Sequence, residues 1–148
     1  MRVALGSDHA GLDLKEALAK RVVDLGHEVE DLGPFDHEPV DYPDYGAAVG
    51  RAVASGSAEL GVACCGTGIG IAIAANKVPG VRAAVAHDVS SARLAREHND
   101  ANVLCLGARV VGPVVASDAL EVFLTTAFAG GRHAQRLEKI AALEGGAR

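Results

Sequence analysis

Cys65 stands where an apolar run ends and a glycine series begins, in the stretch Leu60–Gly70, LGVACCGTGIG. The pattern predicts a buried strand, a tight loop carrying Gly66, Gly68 and Gly70, and the N-terminus of a helix that continues through Ile71–Ala75. Such a junction presents unpaired backbone N–H groups and the positive end of a helix dipole. A cysteine placed there is driven toward its thiolate form, the reactive species. The loop is no dinucleotide fingerprint: counted from Gly66 the sixth position is Ile71, and from Gly68 it is Ile73, where glycine is required. No Lys-Ser/Thr pair follows, so it is no P-loop either. A cradle for a small oxyanion fits better, either a developing enolate or a phosphate. The plainer alternative is a turn that serves only close helix–strand packing.

Other residues could contribute to the same chemistry. Cys64 and Cys65 are neighbours in a strand, so their side chains face opposite ways, and Cys65, at the strand end, is the one expected to reach the loop. Cys64 and Cys105 read as small core residues. Of the histidines at 9, 27, 37, 87, 98 and 133, His9 falls in the loop after the first strand and His98 at a helix end, where it could equally be a dipole partner. His27 and His37 read as surface or loop residues. Arg132 and Arg136 are four apart and project from one helix face, and Arg109 follows the fifth strand. Solvated charge is the ordinary reading of such arginines, but three near strand-end loops of an acidic protein suggest a phosphate site. No Cys/His spacing matches a structural zinc site.

These residues must be positioned by an alternation of strands and helices. The expected strands are Arg2–Gly6, His27–Leu32 at an outer position, Ala58–Cys65, Val81–Ala86 and Val103–Leu106. Helices are expected over Leu12–Leu25, Gly46–Ala54, Ile69–Lys77, Asp88 to about His98, Gly112–Ala129 and His133–Leu143, with a frayed tail over Glu144–Arg148. Gly33–Tyr45, with three prolines and several acids, reads as a long loop. A repeated βα unit implies a parallel sheet with right-handed crossovers and ligands at the carboxyl ends of strands. If the first and third strands are neighbours, Asp8 and His9 lie beside Cys65 and Thr67. The 148 residues suit one domain, and 49% hydrophobic content with only 3% aromatics means an aliphatic core. The net charge of −5 argues against a nucleic-acid partner. No apolar run approaches the roughly 20 residues needed to span a bilayer, and the first residues read as a strand rather than a signal peptide. Three cysteines, two of them adjacent, form no disulfide framework and point to a reduced, cytoplasmic setting.

Six segments in order then carry a resemblance: GSDHAG at 6–11, DYPDY at 41–45, CGTGIGIAIAANK at 65–77, REHNDANVL at 96–104, GARVVG at 107–112 and GGRHAQR at 130–136. Over nearly its whole length the chain resembles the ribose-5-phosphate isomerase B family, which includes galactose- and allose-6-phosphate isomerases. The resemblance implies an α/β fold, a Rossmann-like three-layer α/β/α sandwich on a five-stranded parallel sheet. It implies a homodimer or homotetramer with active sites at the subunit interface, a C-terminal helix in subunit contacts, and no metal or other cofactor. By resemblance Cys65 is the proton-transferring base, Thr67 and the amides of Gly66, Gly68, Ile69 and Gly70 stabilise an enediolate, and His98 opens the sugar ring. Asp8, His9, Tyr42 and Asn99 would contact the sugar or its phosphate, and Arg109, Arg132 and Arg136, helped by His9, would hold the phosphate. One subgroup replaces the cysteine by a glutamate at the position of Ile71; Cys65 with an aliphatic Ile71 fits the cysteine-using pattern. The implied reaction interconverts ribose 5-phosphate and ribulose 5-phosphate. The alternative is the same chemistry on a tetrose phosphate or on allose or galactose 6-phosphate, with His87–Ser90 and the 33–45 loop as the regions where substrate size is tuned.

Overall fold

The computed structural model describes residues 1–146. They form β1 (Arg2–Ser7), α1 (Leu12–Asp24), β2 (Glu28–Asp31), α2 (Tyr42–Ala54), β3 (Leu60–Cys65), α3 (Ile69–Ala75), β4 (Ala83–Val85), α4 (Val89–Asn99), β5 (Val103–Gly107), α5 (Pro113–Thr125) and α6 (Arg132–Gly146). Every strand pairing is parallel, and the sheet order is β2-β1-β3-β5-β4. The chain turns back at β1, so β1 and β3 are neighbours and their carboxyl ends form the switch point where α/β sheets bind ligands.

Handedness decides which face each helix covers. A right-handed crossover toward one side of the sheet lands on one face, and a crossover toward the other side lands on the opposite face. The steps β1 to β2 and β4 to β5 run one way and carry α1 and α4; the steps β2 to β3 and β3 to β4 run the other way and carry α2 and α3. Alternation along the strands matches. Val62 and Cys64 of β3 join a core with Leu14 and Leu18 of α1, Ala92 of α4 and Phe123 of α5. Ala63 and Cys65 join a second core with Val49 of α2 and Ile71 of α3. The second layer is thin. A Cβ on Gly61 would lie 2.6 Å from Val49 Cγ1, and one on Gly46 would lie 2.6 Å from the Ile71 carbonyl oxygen. Glycine at these positions lets α2 sit close to both the sheet and α3.

Several expected boundaries move, each for a local reason. The 33–45 segment is not loop throughout, because α2 begins at Tyr42: Asp41 is the N-cap residue and Pro43, with its φ already helical, occupies the first turn. The helix expected over Gly112–Ala129 stops at Thr125. Thr126 is extended, its hydroxyl returns to the Val122 carbonyl, and its own carbonyl accepts from Arg96 Nε at 3.3 Å. Strand β4 is shorter than expected and α3 ends at Ala75. At the other end α6 begins at Arg132 and is helical through Gly146; of the tail expected to fray, residues 147 and 148 lie outside the described residues. No described helix is long and apolar enough to cross a membrane.

The junction between β1 and α1 rests directly on β3. A Cβ at Gly11 would stand 2.5 Å from the carbonyl carbon of Cys64, and main chain cannot swing aside. Gly11→Ala is therefore expected to lower unfolding free energy by about 1–3 kcal/mol, the range for an overpacked core, as measured by urea denaturation. An unchanged midpoint would show that β1 and β3 can separate at this point.

Candidate active site

Cys65 ends β3 with 3% of its surface exposed, and its Sγ accepts the Gly68 N–H at 3.1 Å. The loop between is short because Gly68 takes a left-handed conformation, φ 77°, which glycine adopts without strain. Two further hydrogen bonds fix the loop from the other side. The Cys65 carbonyl accepts the Ala108 N–H at 2.9 Å and the Gly66 carbonyl accepts the Arg109 N–H at 3.0 Å. Gly107 makes this approach possible, since a Cβ there would lie 2.5 Å from the Thr67 carbonyl carbon. The carbonyls of Cys65 and Gly66 are thus committed to the end of β5, and that of Gly68 accepts the Ala72 amide at 3.3 Å. The Ile69 amide donates to Thr67 Oγ1 at 3.2 Å, while Gly70 and Ile71, at the second and third helical positions, have no intrahelical acceptor.

The surrounding loops deliver polar groups to the same edge. The Asp8 amide donates to the Cys64 carbonyl at 3.1 Å, and Asp8 Oδ1 accepts from the Gly11 amide at 2.9 Å, so the carboxylate is nearly buried with one oxygen committed. His9 Nδ1 lies 3.2 Å from both the amide and the carbonyl of Val40, which leaves Nε2 free to face a ligand. The Tyr42 ring lies against Gly70, where a Cβ would come within 2.6 Å of Tyr42 Cζ. The Arg109 guanidinium lies over Gly66, with Nη1 3.2 Å from the place a Cβ would take. Asp8, His9, Tyr42, Cys65, Thr67, the Gly66–Gly70 amides and Arg109 thus share the carboxyl edge of the sheet.

His98, Asn99, Arg132 and Arg136 do not join them in the same chain. Helix α4 runs back against the strands, so its end lies where strands begin: the Asn102 carbonyl accepts from Gly61 at 2.8 Å and its amide donates to Arg82 at 3.0 Å. The length of β5 separates the two edges, about 16 Å at a strand's rise of roughly 3.3 Å per residue. At that far edge the His98 and His133 rings stack with centroids 4.3 Å apart and planes within 14°. The Ala129 amide donates to the Glu97 carbonyl at 3.0 Å, bringing the start of α6, with Arg132 and Arg136, beside His98. Loss of hydration, and then the neighbouring His98, Arg132 and Arg136 charges, hold His133 below the usual imidazole range.

Asp100 anchors this second cluster. It is the only non-glycine residue with positive φ among the described residues, at 43°. Its Oδ1 accepts from Arg96 at 2.9 Å, its Oδ2 from Arg82 at 3.1 Å, and its carbonyl from Arg82 Nε at 2.9 Å. The helix end bearing His98 and Asn99 is therefore turned and tied by one carboxylate. Neither Asp100 nor His133 was assigned a role by sequence spacing. The stack needs α4 and α6 to dock, which no local pattern encodes; an Asp directly after a helix end was the available hint for the left-handed turn. His87, on the loop after β4, accepts the Gly107 amide on Nε2 at 3.1 Å and so supports the Gly107–Thr67 contact.

The two other cysteines are spectators. Burial, and then the neighbouring thiols, push Cys64 and Cys105 well above the usual thiol range. Among the described residues no group of three or more His, Cys, Asp or Glu side chains is arranged to hold a metal ion.

A family model described as Ribose/Galactose Isomerase matches residues 3–140. The chain belongs to this family. A solved ribose-5-phosphate isomerase B from Clostridium thermocellum superposes with a TM-score of 0.97 at 51% identity, covering 98% of each chain. Ribose-5-phosphate isomerase B of Escherichia coli is 46% identical over 97% of this chain and 96% of its own. A D-erythrulose-4-phosphate isomerase of Pectobacterium atrosepticum is 41% identical over 95% of this chain and 93% of its own. The ribose/galactose isomerase family supplies the reaction class: this chain is a sugar-phosphate isomerase on an α/β parallel-sheet fold.

Asp100 separates two effects that substitution can read one at a time. Asp100→Gly keeps the left-handed turn and loses the carboxylate, whereas Asp100→Ala loses both. Chemical denaturation should find the alanine variant less stable than the glycine variant by about 1–2 kcal/mol, the strain of a left-handed L-residue. Equal stabilities would mean that the turn itself is unstrained.

Proposed function

We propose that this chain interconverts ribose 5-phosphate and ribulose 5-phosphate through a cis-enediolate, with each active site completed by a second copy of the chain. Cys65 at the base of a cradle of outward amides carries the reading: its Sγ already accepts the Gly68 amide, a bond that a thiolate accepts more strongly than a thiol. From the aldose side, the Cys65 thiolate takes the proton from C2, and the electron pair forms the C1–C2 double bond as the C1 carbonyl becomes an oxyanion. The amides of Gly66, Gly68, Ile69 and Gly70, with the Thr67 hydroxyl, stabilise that charge, those of Gly68 and Ile69 being shared with Cys65 Sγ and Thr67 Oγ1. Transfer of a proton between O1 and O2 and return of the Cys65 proton to C1 give the ketose. No atom is gained or lost, and no redox partner enters.

The remaining residues act on the parts of the substrate that do not react. Asp8 and Tyr42 contact hydroxyls, and His9 and Arg109 approach from the same chain. His98 and Asn99 of the partner subunit reach the ring oxygen and hydroxyls, and Arg132 and Arg136 of the partner subunit take the phosphate with a charged, forked geometry. The two-edge distribution supports a shared site, because a two-fold arrangement brings the far edge of one copy onto the near edge of the other. Exposed Ile69 and Ile73 on α3, and Ile140 and Leu143 on α6, supply apolar surface for such an interface. The whole chain acts as one isomerase unit, and α6 belongs to the subunit contact. A reducing cytoplasm is the compartment that suits a catalytic free thiol. A second reading, the same chemistry on a tetrose or hexose phosphate, is favoured by the D-erythrulose-4-phosphate relative.

A panel of four-, five- and six-carbon sugar phosphates decides between the two readings, with the highest kcat/KM expected for ribose 5-phosphate; preference for a tetrose or hexose phosphate would transfer the assignment. The shared site is tested by complementation. Cys65→Ala should abolish exchange of the substrate C2 proton with solvent, and Arg132→Ala/Arg136→Ala should chiefly raise KM. Refolded together in equal amounts and assayed at substrate far below the KM of the arginine variant, where neither variant alone turns over appreciably, the two should regain about one quarter of wild-type activity, since half of the dimers are mixed and each mixed dimer has one intact site. Failure to regain any activity would mean that each chain builds its site alone.

A further inference from the structure

We propose that Lys15 is a positioning residue for substrate binding, holding the loop between β2 and α2 from inside the protein. It rests on the reading above in one respect, that His9 and Tyr42 contact the substrate. Lys15 lies on α1 and is 1% exposed, the one buried basic side chain among the described residues. Its ammonium donates to Asp31 Oδ1 at 2.6 Å and to the Pro34 carbonyl at 2.7 Å, and lies 5.0 Å from the centre of the Phe35 ring. Asp31 Oδ1 also accepts the Gly33 amide at 2.9 Å. All the partners come from one short segment, residues 31–35.

That distribution separates Lys15 from an ordinary stabilising ion pair. Helix α1 is already fixed to the sheet by Leu14, Leu18 and Val22, which lie in the core. What the ammonium fixes is the entrance of the following loop. Beyond it, Phe35 to Pro39 are exposed, and the His37–Asp13 pair at 2.8 Å lies in solvent, where it holds little. The loop is next gripped at Val40, by His9 Nδ1, and it then enters α2 at Tyr42, whose ring lies on Gly70. The segment is therefore a strap held at each end. At its start Lys15 grips Asp31 and Pro34 beside the main-chain bonds from the Leu32 amide to Leu5 and from the Ser7 amide to Gly33, and at its far end the hold is a site residue whose ring is oriented by the strap. Beyond Gly33 the ammonium is the hold on the strap, and its loss loosens Val40 and with it the orientation of His9. The glycine cradle is attached separately, to β5, so the proton-transfer machinery stays in place.

The prediction is a split between binding and chemistry. In Lys15→Met, which keeps the stem and removes the charge, KM for ribose 5-phosphate should rise about 10-fold and competition by inorganic phosphate should weaken in parallel, with kcat held within about 3-fold. Amide exchange at Val40 should accelerate by about 10-fold or more, while exchange in β3 and β5 stays at the wild-type rate. Asp31→Asn keeps the shape and leaves Lys15 a neutral acceptor, so it should show the same split in weaker form, and it carries the test if Lys15→Met does not fold. An unchanged Val40 exchange rate with unchanged KM overturns the proposal. So does a loss of kcat, KM and melting temperature together, which would mark Lys15 as a stabilising residue only. Absence of turnover by the wild-type enzyme would instead strike the functional reading, and the Val40 exchange comparison would still decide the role of Lys15.

Discussion

The hydrogen bonds from the amides of Ala108 and Arg109 to the carbonyls of Cys65 and Gly66 are the constraint on which the site depends. A loop of four residues has as many carbonyls as amides, and left to itself it presents both to a ligand. Here the end of β5 takes up the carbonyls of Cys65 and Gly66, as a continuation of the sheet ladder beyond its last paired residues, and the Ala72 amide takes that of Gly68. The Gly70 and Ile71 amides are left without an intrahelical acceptor. The selectivity for negative charge comes from this allocation more than from the dipole of α3, which is only seven residues long. Gly107 is its steric condition, and the His87 ring, which takes the Gly107 amide just beyond the end of β4, is its support.

The second constraint is the hand of the crossovers. Because every strand is parallel, every crossover helix must return to the starting edge, and anything borne on the C-terminal end of such a helix is delivered to the side opposite the strand-end loops. Cys65 sits on a strand end and His98 on a helix end. No change of side chains could bring them together within one copy of this fold. The network of Asp100 with Arg82 and Arg96 shows that the far edge is built with as much care as the near one, although a single chain leaves it facing outward.

Sequence carried most of the near edge. The switch from an apolar run to glycines marks the place of Cys65, strand alternation sends Cys64 the other way, and the βα rhythm puts ligands at the carboxyl ends of strands; that Asp8 lies beside the glycine loop needed the further condition that β1 neighbours β3, which the fold meets. These are short-range patterns, with periods of two or 3.6 residues, and the fold respects them. The start of α2 is ambiguous in the sequence because Pro43 suits a loop and a first helical turn equally well. The end of α5 is not legible locally because the Thr126 carbonyl is taken by Arg96, a residue 30 positions away on α4. The separation of the arginines into two groups was not legible from their spacing, since Arg109 and Arg132 both follow β5 in sequence yet lie at opposite edges. The inward course of Lys15 was equally hidden: a lysine beside a glutamate on an amphipathic helix reads as solvated, and only the return of the 31–35 segment over it shows otherwise.

The thin packing of α2 and α3 bears on how such a catalyst can change. Behind Cys65 the glycines of the layer are already in contact, Gly61 with the Val49 side chain and Gly46 with the Ile71 carbonyl. Adaptation of the binding pocket by adding bulk at these glycines is closed off, because an added methyl group would meet a packed neighbour. Room for variation lies on the rim, in the strap before α2 and the turn after β4, where residues are exposed and loosely packed. Such a scaffold keeps its proton-transfer step rigid while leaving the length and shape of the sugar to be renegotiated at its margins.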